Sequence, residues 1–245
     1  MRPLVIVPAF NEAKNLPAVA EGLRRHAPGV DVVVVDDGST DATSAVAASL
    51  GLRVLRLPVN LGIGGAVQTG YLWAATHGHD AAVQLDGDGQ HDPADLEALL
   101  APIARGEADL VIGSRFLTRE GFQSTGARRV GIRWLSLLLR LRAGARVTDP
   151  TSGLRAAGPR AIALFARSYP SDYPEPEAIS LASRAGLTLA EVPARMRARV
   201  HGASSIRGLL APWYIIRVSF GLLWPPARQA LHGPTEAEPP RRATP

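Results

Sequence analysis

The residues best suited to chemistry are two aspartates separated by one glycine, in the segment Asp86-Gly87-Asp88-Gly89-Gln90. The segment directly follows an apolar run, so it is predicted to lie on a turn. Two carboxylates one residue apart can both face a hard divalent cation, and the amide oxygen of Gln90 adds a further ligand. Mg²⁺ or Mn²⁺ held there would neutralise charge growing on a leaving diphosphate. The alternative is that Asp and Gly simply form a favourable turn. The motif alone leaves both interpretations open.

Two further polar segments follow apolar runs, Pro8-Ala9-Phe10-Asn11-Glu12 and Asp36-Asp37-Gly38-Ser39-Thr40-Asp41. In the first, a flat Pro–Phe surface would support a nucleotide base, while Glu12 binds the edge of the base that carries hydrogen-bond donors. In the second, Asp37 would accept hydrogen bonds from a base N–H or a ribose hydroxyl. The alternatives are a plain strand-to-helix turn and an N-cap, with Ser39 or Thr40 starting the next helix. We expect capping to be part of the second segment's role.

Hydrophobic periodicity predicts the elements that position these turns. Short apolar runs predict buried strands at residues 4–7, 31–35, 53–57, 81–85 and 108–113. Helical spacing predicts helices at 11–25, about 41–50, 62–75 and 93–104. Their alternation predicts an α/β fold with a doubly wound, mostly parallel sheet. In such sheets ligands bind beyond the carboxyl ends of the strands, where all three polar segments are expected.

Charge is distributed unevenly along the 245 residues. Residues 1–114 carry 7 Lys+Arg against 14 Asp+Glu, whereas residues 115–245 carry 20 against 8. This asymmetry suggests one half that holds a cation and one that holds anions or an anionic surface. Arginine suits bidentate phosphate binding, and a solvated basic face is the alternative. Leu and Ile between the arginines form no regular aromatic platform, which argues against nucleic acid. The absence of cysteine excludes disulfides and thiolate metal sites.

The C-terminal half has a looser pattern, with helices predicted at 130–142, 159–166 and 177–185 and a strand at 187–192. Residues 130–142 and 206–224 combine apolar faces with arginine and tryptophan, a composition typical of interfacial helices. Arg207, Pro212 and Arg217 argue against a transmembrane helix, and ordinary core helices are the alternative. We expect a main domain at 1–205, an amphipathic, membrane-interfacial segment at 206–232 and a disordered tail at 233–245.

Taken together, the motifs resemble those of the family-2 glycosyltransferases, which have the nucleotide-sugar (GT-A) fold. Within that family the chain is most similar to dolichol-phosphate mannose synthases and bacterial polyprenyl-phosphate glycosyltransferases. The resemblance covers roughly residues 3–206. It is carried by PAFNE, VVVVDDGSTD, NLGIGGAVQTG, LDGDGQHDP, IGSRF, DPTSGLRA and EVPARMRARVHGASSI.

The resemblance implies a role for each residue at a matching position. Pro8, Phe10, Glu12 and Asp37 would contact the nucleotide. Asp86 and Gly87, with Asp88 and Gln90, would hold the diphosphate and Mg²⁺ or Mn²⁺. Arg115 and Arg199 would bind phosphates, and Glu177 is the candidate general base. This chain departs from the family pattern at Phe10, where tyrosine is usual, and at Ser205, where dolichol-type synthases usually have lysine.

The resemblance implies a single inverting displacement in which mannose or glucose moves from a GDP- or UDP-linked donor to polyprenyl phosphate. A lipid phosphate is already anionic near pH 7 and needs no base, and Arg128, Arg129, Arg155 and Arg199 are candidates to hold it. A hydroxyl of a cell-envelope glycan or small molecule is the alternative acceptor and would need a base such as Glu177.

A non-catalytic, membrane-associated sugar-nucleotide-binding subunit is a further alternative. A nucleotidyltransferase is less consistent with PAFNE, which is not a glycine-rich, lysine-containing loop. The first ten residues show no secretory signal, so we expect a location on the cytoplasmic face of the membrane. A small membrane protein is a possible partner of the C-terminal helix. His91 follows the acidic motif and is a candidate to support its ligands.

Overall fold

The structure, a computed structural model, describes residues 1–117, 126–171, 173–197 and 210–223. Within these residues one sheet contains seven strands: β1 (Pro3–Ala9), β2 (Asp31–Asp36), β3 (Arg53–Arg56), β4 (Ala81–Gln84), β5 (Leu110–Ser114), β6 (Arg155–Ala157) and β7 (Leu189–Pro193). Their order is β3-β2-β1-β4-β6-β5-β7. Only β6 runs antiparallel to its neighbours, β4 and β5. The predicted doubly wound, mostly parallel sheet is therefore confirmed.

The same part of the chain contains eight α-helices that cover the sheet. They are α1 (Leu16–His26), α2 (Thr43–Ser49), α3 (Gly62–Thr76), α4 (Leu96–Ala104), α5 (Gly126–Ala143), α6 (Pro159–Arg167), α7 (Pro174–Arg184) and α8 (Leu210–Leu223). A short 3₁₀ turn at Pro93–Asp95 leads into α4. All the predicted helices are present, with shifted ends.

The alternation of side chains along β1 explains why the helices form two layers. Leu4 and Ile6 join one buried cluster with residues of α3, α6 and α7. Val5 and Val7 point to the opposite face and join a second cluster with residues of α1, α2 and α4. Because both faces of β1 are covered, the strand is apolar without interruption, as expected for the centre of a parallel sheet. This burial holds the carboxyl ends of β1, β2 and β4 at one edge.

Two of the shifted helix starts have a clear local cause. Helix α1 begins at Leu16 rather than at residue 11, because Asn11 adopts a left-handed backbone conformation with φ of 57°. Helix α2 begins at Thr43, so neither Ser39 nor Thr40 caps it. Instead, the carboxylate of Asp41 accepts the N–H of Thr43 at 2.9 Å.

The sequence did not predict the short strand β6, and Pro212 does not interrupt α8. Strand β6 has only three residues, too few for a periodicity to be recognised. Helix α8 continues through Pro212, the third residue of the helix, where proline removes no intrahelical hydrogen bond. Tyr214, Val218 and Leu222 of α8 are buried in a third cluster with Leu135 and other residues of α5 and α7. Residues 233–245, the predicted tail, lie outside the described residues.

Candidate active site

The acidic segment 86–90 forms a tight loop directly beyond β4, against the end of β1. The N–H of Gly87 donates to the carbonyl of Pro8 at 3.2 Å. A Cβ atom on Gly87 would lie only 3.0 Å from that carbonyl oxygen, and Gly89 has a φ of +75°. Glycine is therefore required at 87 for the close approach and at 89 for the left-handed turn. These two glycines fix the backbone of the loop that contains Asp86 and Asp88, and a shared site for the two carboxylates stays a prediction.

The carboxylate of Asp86 is held from the sheet side by neighbouring polar groups. Gln84 Nε2 donates to Asp86 Oδ1 at 3.1 Å, and the N–H of Asp86 donates to His91 Nδ1 at 3.1 Å. His91 is buried, and its Nε2 lies 3.8 Å from Asp86 Oδ2. The backbone donation implies that Nδ1 carries no proton, so the imidazole proton of neutral His91 is on Nε2, facing Asp86.

Asp88 and Gln90 complete the loop. Asp88 is 8% exposed, and its Oδ1 accepts the N–H of Gln90 at 2.9 Å. The carbonyl of Gln90 accepts the N–H of Arg197 at 2.8 Å, which joins the loop to the segment after β7. Within the described residues no group of three or more His, Cys, Asp or Glu side chains forms a metal centre. Two carboxylates and an amide oxygen nevertheless match the hard-oxygen donors of Mg²⁺ or Mn²⁺, which commonly retain water and phosphate oxygens.

The turns after β1 and β2 are locked together by Asn11. Its N–H donates to Ser39 Oγ at 2.9 Å, and its Oδ1 accepts the N–H of Thr40 at 2.9 Å. The N–H of Glu12 donates to Thr43 Oγ1 at 2.9 Å. Ser39 and Thr40 therefore connect the two turns instead of starting a helix. The lock brings Glu12 and Asp37, predicted to contact a nucleotide, to the same edge of the sheet.

The two residues predicted to form a flat surface for a base, Pro8 and Phe10, differ in exposure. Pro8 is buried because it lies within β1 and is paired with Val35 of β2. Phe10 is 45% exposed and offers a ring to a ligand. Glu12 is half-buried, and its Oε2 accepts Asn15 Nδ2 at 2.5 Å. Of these two residues, only Phe10 is exposed for the predicted stacking on a base.

Asp37 is buried at the end of β2 and is tied to the loop before α3. Its N–H donates to the carbonyl of Ala9 at 2.9 Å, and its Oδ1 accepts the N–H of Leu61 at 2.7 Å. Burial raises the pKa of Asp37, against the opposing effect of backbone donors from Leu61 and Gly62. The carboxylate thus links the β2 turn to the start of α3.

Arg115, at the end of β5, forms a buried ion pair. Its Nε and Nη2 donate to the two oxygens of Asp149 at 2.6 Å each, and Nη2 also donates to Thr151 Oγ1 at 2.7 Å. The sequence predicts phosphate binding by Arg115 and gave no indication of its pairing with Asp149. The contacts give Arg115 a positioning role: it anchors the loop between α5 and β6. Direct phosphate binding by Arg115 stays a prediction.

Two glutamates of the first turn of α7 have different surroundings. Glu177, the predicted base, lies against α8: a Cβ atom on Gly221 would be 2.6 Å from its Oε1. Glu175 was not singled out from the sequence, yet it interacts electrostatically with Arg155, Asp86 and Arg115. Burial raises the pKa of the Glu175 carboxyl, and the Arg155 charge opposes that rise.

Arg155, a predicted phosphate ligand, is fully buried beneath the site. Its Nη2 donates to the carbonyl of Ser152 at 2.5 Å and its Nη1 to the carbonyl of Glu175 at 3.3 Å. A guanidinium with no exposed surface cannot hold a lipid headgroup, so that candidate role is wrong. Arg155 instead donates to backbone carbonyls, and its bond to Glu175 helps to position the start of α7. Arg199 and the side chain of Arg128 lie outside the described residues.

An apolar stripe lies along one side of the α5–α8 pair. Its members are at least 45% exposed: Val130, Trp134, Leu137 and Leu141 of α5, and Trp213, Ile216 and Phe220 of α8. The spacing within each helix follows the helical repeat, so each set lies on one face. Trp134 Nε1 donates to Ser219 Oγ at 3.0 Å, which joins the two helices. None of the described helices combines the length and apolarity needed to span a bilayer.

Known proteins match the chain over most of its length. A family model described as glycosyl transferase family 2 matches residues 4–157. Undecaprenyl-phosphate mannosyltransferase of Micrococcus luteus is 34% identical over 228 residues, 89% of this chain and 93% of that protein. Polyprenol monophosphomannose synthase of Mycolicibacterium smegmatis is 32% identical over 217 residues, 84% of this chain and 82% of that protein.

One solved structure similar to the chain contains a metal ion, a nucleotide sugar and phosphoglyceric acid together. It is glucosyl-3-phosphoglycerate synthase of Mycobacterium tuberculosis in complex with Mn²⁺, uridine-diphosphate-glucose and phosphoglyceric acid. The TM-score is 0.69 at 26% identity, and the match covers 91% of this chain and 78% of that chain.

Proposed function

The chain belongs to glycosyl transferase family 2, and we propose that it is a metal-dependent, inverting hexosyltransferase with polyprenyl phosphate as its acceptor. The donor would be a GDP- or UDP-linked sugar, mannose or glucose. The observation that carries the proposal is the position of the acidic loop 86–90, which packs against the end of β1. The loop lies beside the turns after β1 and β2, which hydrogen bonds of Asn11 connect. The names of the two curated relatives support the lipid acceptor.

The donor nucleoside would bind at the turns after β1 and β2. Phe10 supplies the exposed ring, while Glu12 and Asp37 supply carboxylates that accept hydrogen bonds from base or ribose. Asp37 is oriented by the N–H of Leu61, so part of its hydrogen-bonding capacity is already used to hold it in place. A pre-positioned carboxylate reduces the ordering cost of binding.

Asp86, Asp88 and Gln90 would hold Mg²⁺ or Mn²⁺ at the diphosphate. The bound ion would neutralise the charge that develops on the leaving nucleoside diphosphate. The protein's own contribution is orientation: Gln84 and His91 fix Asp86, and the N–H of Gln90 fixes Asp88. The predicted phosphate contact of Arg199 belongs to the same proposal.

In the displacement, a phosphate oxygen of the acceptor attacks the anomeric carbon of the donor sugar. The new C–O bond forms as the bond from that carbon to the diphosphate oxygen breaks, and the nucleoside diphosphate leaves with the electron pair. A phosphate acceptor is ionised near neutral pH, so no side chain has to remove a proton. Catalysis then depends on orientation and charge stabilisation.

The apolar stripe of α5 and α8 supports a location on the membrane. Tryptophan and other apolar side chains alternate with exposed arginines of α5, including Arg133, Arg140 and Arg142. This pattern suits a helix pair lying in an anionic membrane interface. We infer peripheral attachment at the cytoplasmic face, where nucleotide sugars and the phosphate end of the lipid meet. A small membrane protein that helps attachment is also a prediction.

A hydroxyl-bearing acceptor is the second candidate, favoured by two observations. The similar synthase was crystallised with phosphoglyceric acid, which is not a prenyl compound. Glu175 interacts electrostatically with Asp86, and burial raises its pKa, which suits a general base. Glu177 remains the alternative base predicted from the sequence.

The test is sugar transfer by the purified full-length chain, with Asp88→Ala as control. The chain is incubated with Mg²⁺ or Mn²⁺, radiolabelled GDP-mannose or UDP-glucose, and a short polyprenyl phosphate. We expect label in the organic phase for the wild type only, and only with metal. Metal-dependent nucleotide release without lipid labelling would contradict the lipid acceptor. No activity with any donor, by a folded protein supplied with membranes, would contradict the enzyme's proposed reaction altogether.

A further inference from the structure

Strand β6 brings a residue without a side chain next to the acidic loop. Gln84 of β4 pairs with Arg155 of β6 in an antiparallel register. Continuing that register by two residues along each strand places Gly153 opposite Asp86. Residues directly opposite each other in an antiparallel pair lie side by side on the same face. A side chain at position 153 would therefore occupy the space beside the Asp86 carboxylate.

The distances show that this space is already filled by Asp86. A Cβ atom on Gly153 would lie 2.9 Å from Asp86 Oδ2, 3.4 Å from Asp86 Oδ1 and 3.3 Å from Gln84 Nε2. The first distance is shorter than the contacts that Cβ atoms make in proteins. Gly153 does not have a positive φ, so its backbone conformation does not require glycine. The feature that requires glycine at this position is the carboxylate of Asp86.

The backbone on both sides of Gly153 is fixed by hydrogen bonds. The carbonyl of Ser152 accepts Arg155 Nη2 at 2.5 Å, and the carbonyl of Leu154 accepts the N–H of Gly113 at 2.9 Å. Arg155 is fully buried, so a shift of this backbone would leave its charge with one acceptor fewer and no access to water. Loss of a hydrogen bond to a buried charged group is strongly unfavourable. The fold therefore resists movement of Gly153.

The carboxylate of Asp86, in contrast, can move without disturbing the sheet. It lies at the end of a short side chain that is 32% exposed. Rotation about the side-chain bonds breaks the hydrogen bond from Gln84 Nε2 and leaves the backbone of the loop in place. A methyl group at position 153 would therefore be accommodated by displacement of the Asp86 carboxylate and not by displacement of β6.

We propose that Gly153 is a positioning residue for the metal site: because it has no side chain, it leaves the space in which Asp86 presents its carboxylate to Mg²⁺ or Mn²⁺. The inference rests on the proposed transferase function, in which Asp86 is a metal ligand, and it extends that site to a residue distant in the sequence. It also relates the buried Arg155 to the site, since the bond from Arg155 to Ser152 holds the backbone that bounds the carboxylate.

Gly153→Ala in the full-length chain tests the proposal, with Mn²⁺ as the probe. Electron paramagnetic resonance of Mn²⁺ with UDP or GDP gives the metal affinity. We expect this affinity to fall about 10- to 100-fold, the range for loss of a group that orients a metal ligand. Nucleotide affinity without metal, measured by calorimetry, should be unchanged, because the turns after β1 and β2 would hold the nucleoside. The urea midpoint should stay near that of the wild type.

Gly158→Ala is the matched control, because Gly158 follows the other end of β6. A Cβ atom there would also be crowded, at 3.2 Å from Ile103 Cγ2, but it would not approach Asp86. We expect Gly158→Ala to retain the wild-type Mn²⁺ affinity. Unchanged Mn²⁺ affinity in Gly153→Ala would overturn the proposal. A much lower urea midpoint in Gly153→Ala than in Gly158→Ala would also overturn it, because the backbone of β6 would then have moved instead of the carboxylate.

Sugar transfer separates this proposal from the proposed function. Metal-dependent transfer to polyprenyl phosphate by the wild type, with equal Mn²⁺ affinity in Gly153→Ala and wild type, would overturn the role of Gly153 and leave the function intact. Conversely, a loss of Mn²⁺ affinity confined to Gly153→Ala, without sugar transfer by the wild type to any acceptor, would support the role of Gly153 and contradict the function.

Discussion

Arg115 and Asp149 form a bidentate ion pair with both side chains buried, 34 residues apart in the sequence. Asp149 is in turn held by Glu191, whose Oε1 accepts the N–H of Asp149 at 2.9 Å. The three residues join the end of β5, the loop before β6 and β7. That loop leads into Gly153 and Arg155, which lie below the acidic loop 86–90. The Arg115–Asp149 pair therefore helps to position the edge of the sheet that carries the candidate active site.

Loss of one partner of this pair should be strongly destabilising. Asp149→Asn keeps the shape but leaves the Arg115 charge buried without its counter-charge, so we expect a loss of about 3–5 kcal/mol in the free energy of unfolding. Urea denaturation measures it. Glu107→Gln is the control: it breaks the exposed pair with Arg105 and should have no measurable effect. An unchanged stability of Asp149→Asn would contradict the positioning role of Arg115.

His91 should affect metal binding without being a ligand. Its Nδ1 accepts the N–H of Asp86, and loss of such support typically lowers metal affinity 10- to 100-fold. We therefore expect that loss in His91→Phe, and a smaller one in His91→Asn, whose Oδ1 can accept the same N–H. Electron paramagnetic resonance of Mn²⁺ with UDP or GDP gives the affinities. Equal affinity in His91→Phe and wild type would refute this role.

The sequence was most informative where binding residues directly follow uninterrupted apolar strands. The runs that became β1, β2 and β4 end in the polar turns of Glu12, Asp37 and Asp86, and the parallel arrangement brings the turns to one edge. Those turns could be located because a strand's end depends mainly on local pattern. The burial of Pro8 could not be predicted, since it depends on the neighbouring strand β2.

Long-range pairing is the part of the site that the sequence did not reveal. The arginine-rich stretches suggested phosphate binding, but the composition gave no way to distinguish Arg115, paired with Asp149, or the fully buried Arg155. Likewise Glu175 and Glu177 are two residues apart on α7, and only the packing of α7 against α8 and β6 distinguishes them. Local sequence contains none of these tertiary contacts.

Stability should depend on pH through Asp36. Burial acts to raise its pKa, but hydrogen bonds from Ser39 and Ser44 outweigh this effect, so the pKa is lowered from 3.8. A lowered pKa stabilises the fold above the unfolded value, and this contribution is lost as pH falls through the folded value. We therefore expect stability to decrease as the pH drops below about 4.

Ser44→Ala tests this dependence. It removes a hydrogen bond to the buried carboxylate of Asp36, so we expect a loss of about 1.5 kcal/mol at pH 7 and a smaller difference from wild type at low pH. Urea denaturation at pH 7 and pH 3 provides the comparison. Ser49→Ala on the same helix, whose hydroxyl bonds only to the carbonyl of Val46 among the described contacts, should change stability by less than about 0.5 kcal/mol. A pH-independent effect of Ser44→Ala would be inconsistent with the assignment.

Glu175 and Glu177 allow the two acceptor classes to be distinguished kinetically. With a phosphate acceptor no base is required, so Glu175→Gln and Glu177→Gln should each retain kcat within about tenfold. With a hydroxyl acceptor the catalytic base is essential, and its loss should lower kcat by about 10²- to 10⁴-fold. Because Glu175 interacts electrostatically with Asp86 and burial raises its pKa, we expect such a loss in Glu175→Gln. A large loss confined to Glu177→Gln would restore the base predicted from the sequence.

The apolar stripe of α5 and α8 should govern membrane attachment. Phe220 is 65% exposed and Leu141 is 69% exposed, and burial of each side chain in a lipid interface would contribute about 1.5–3 kcal/mol. We therefore expect Phe220→Ser and Leu141→Ser each to weaken vesicle binding about tenfold or more, and the double variant to weaken it further. Co-sedimentation with vesicles containing anionic lipid measures the effect. Leu72→Ser is the matched control, because Leu72 is 52% exposed on α3, outside the stripe. Equal losses in Leu72→Ser and Phe220→Ser would mean that general hydrophobicity, and not this helix pair, binds the membrane.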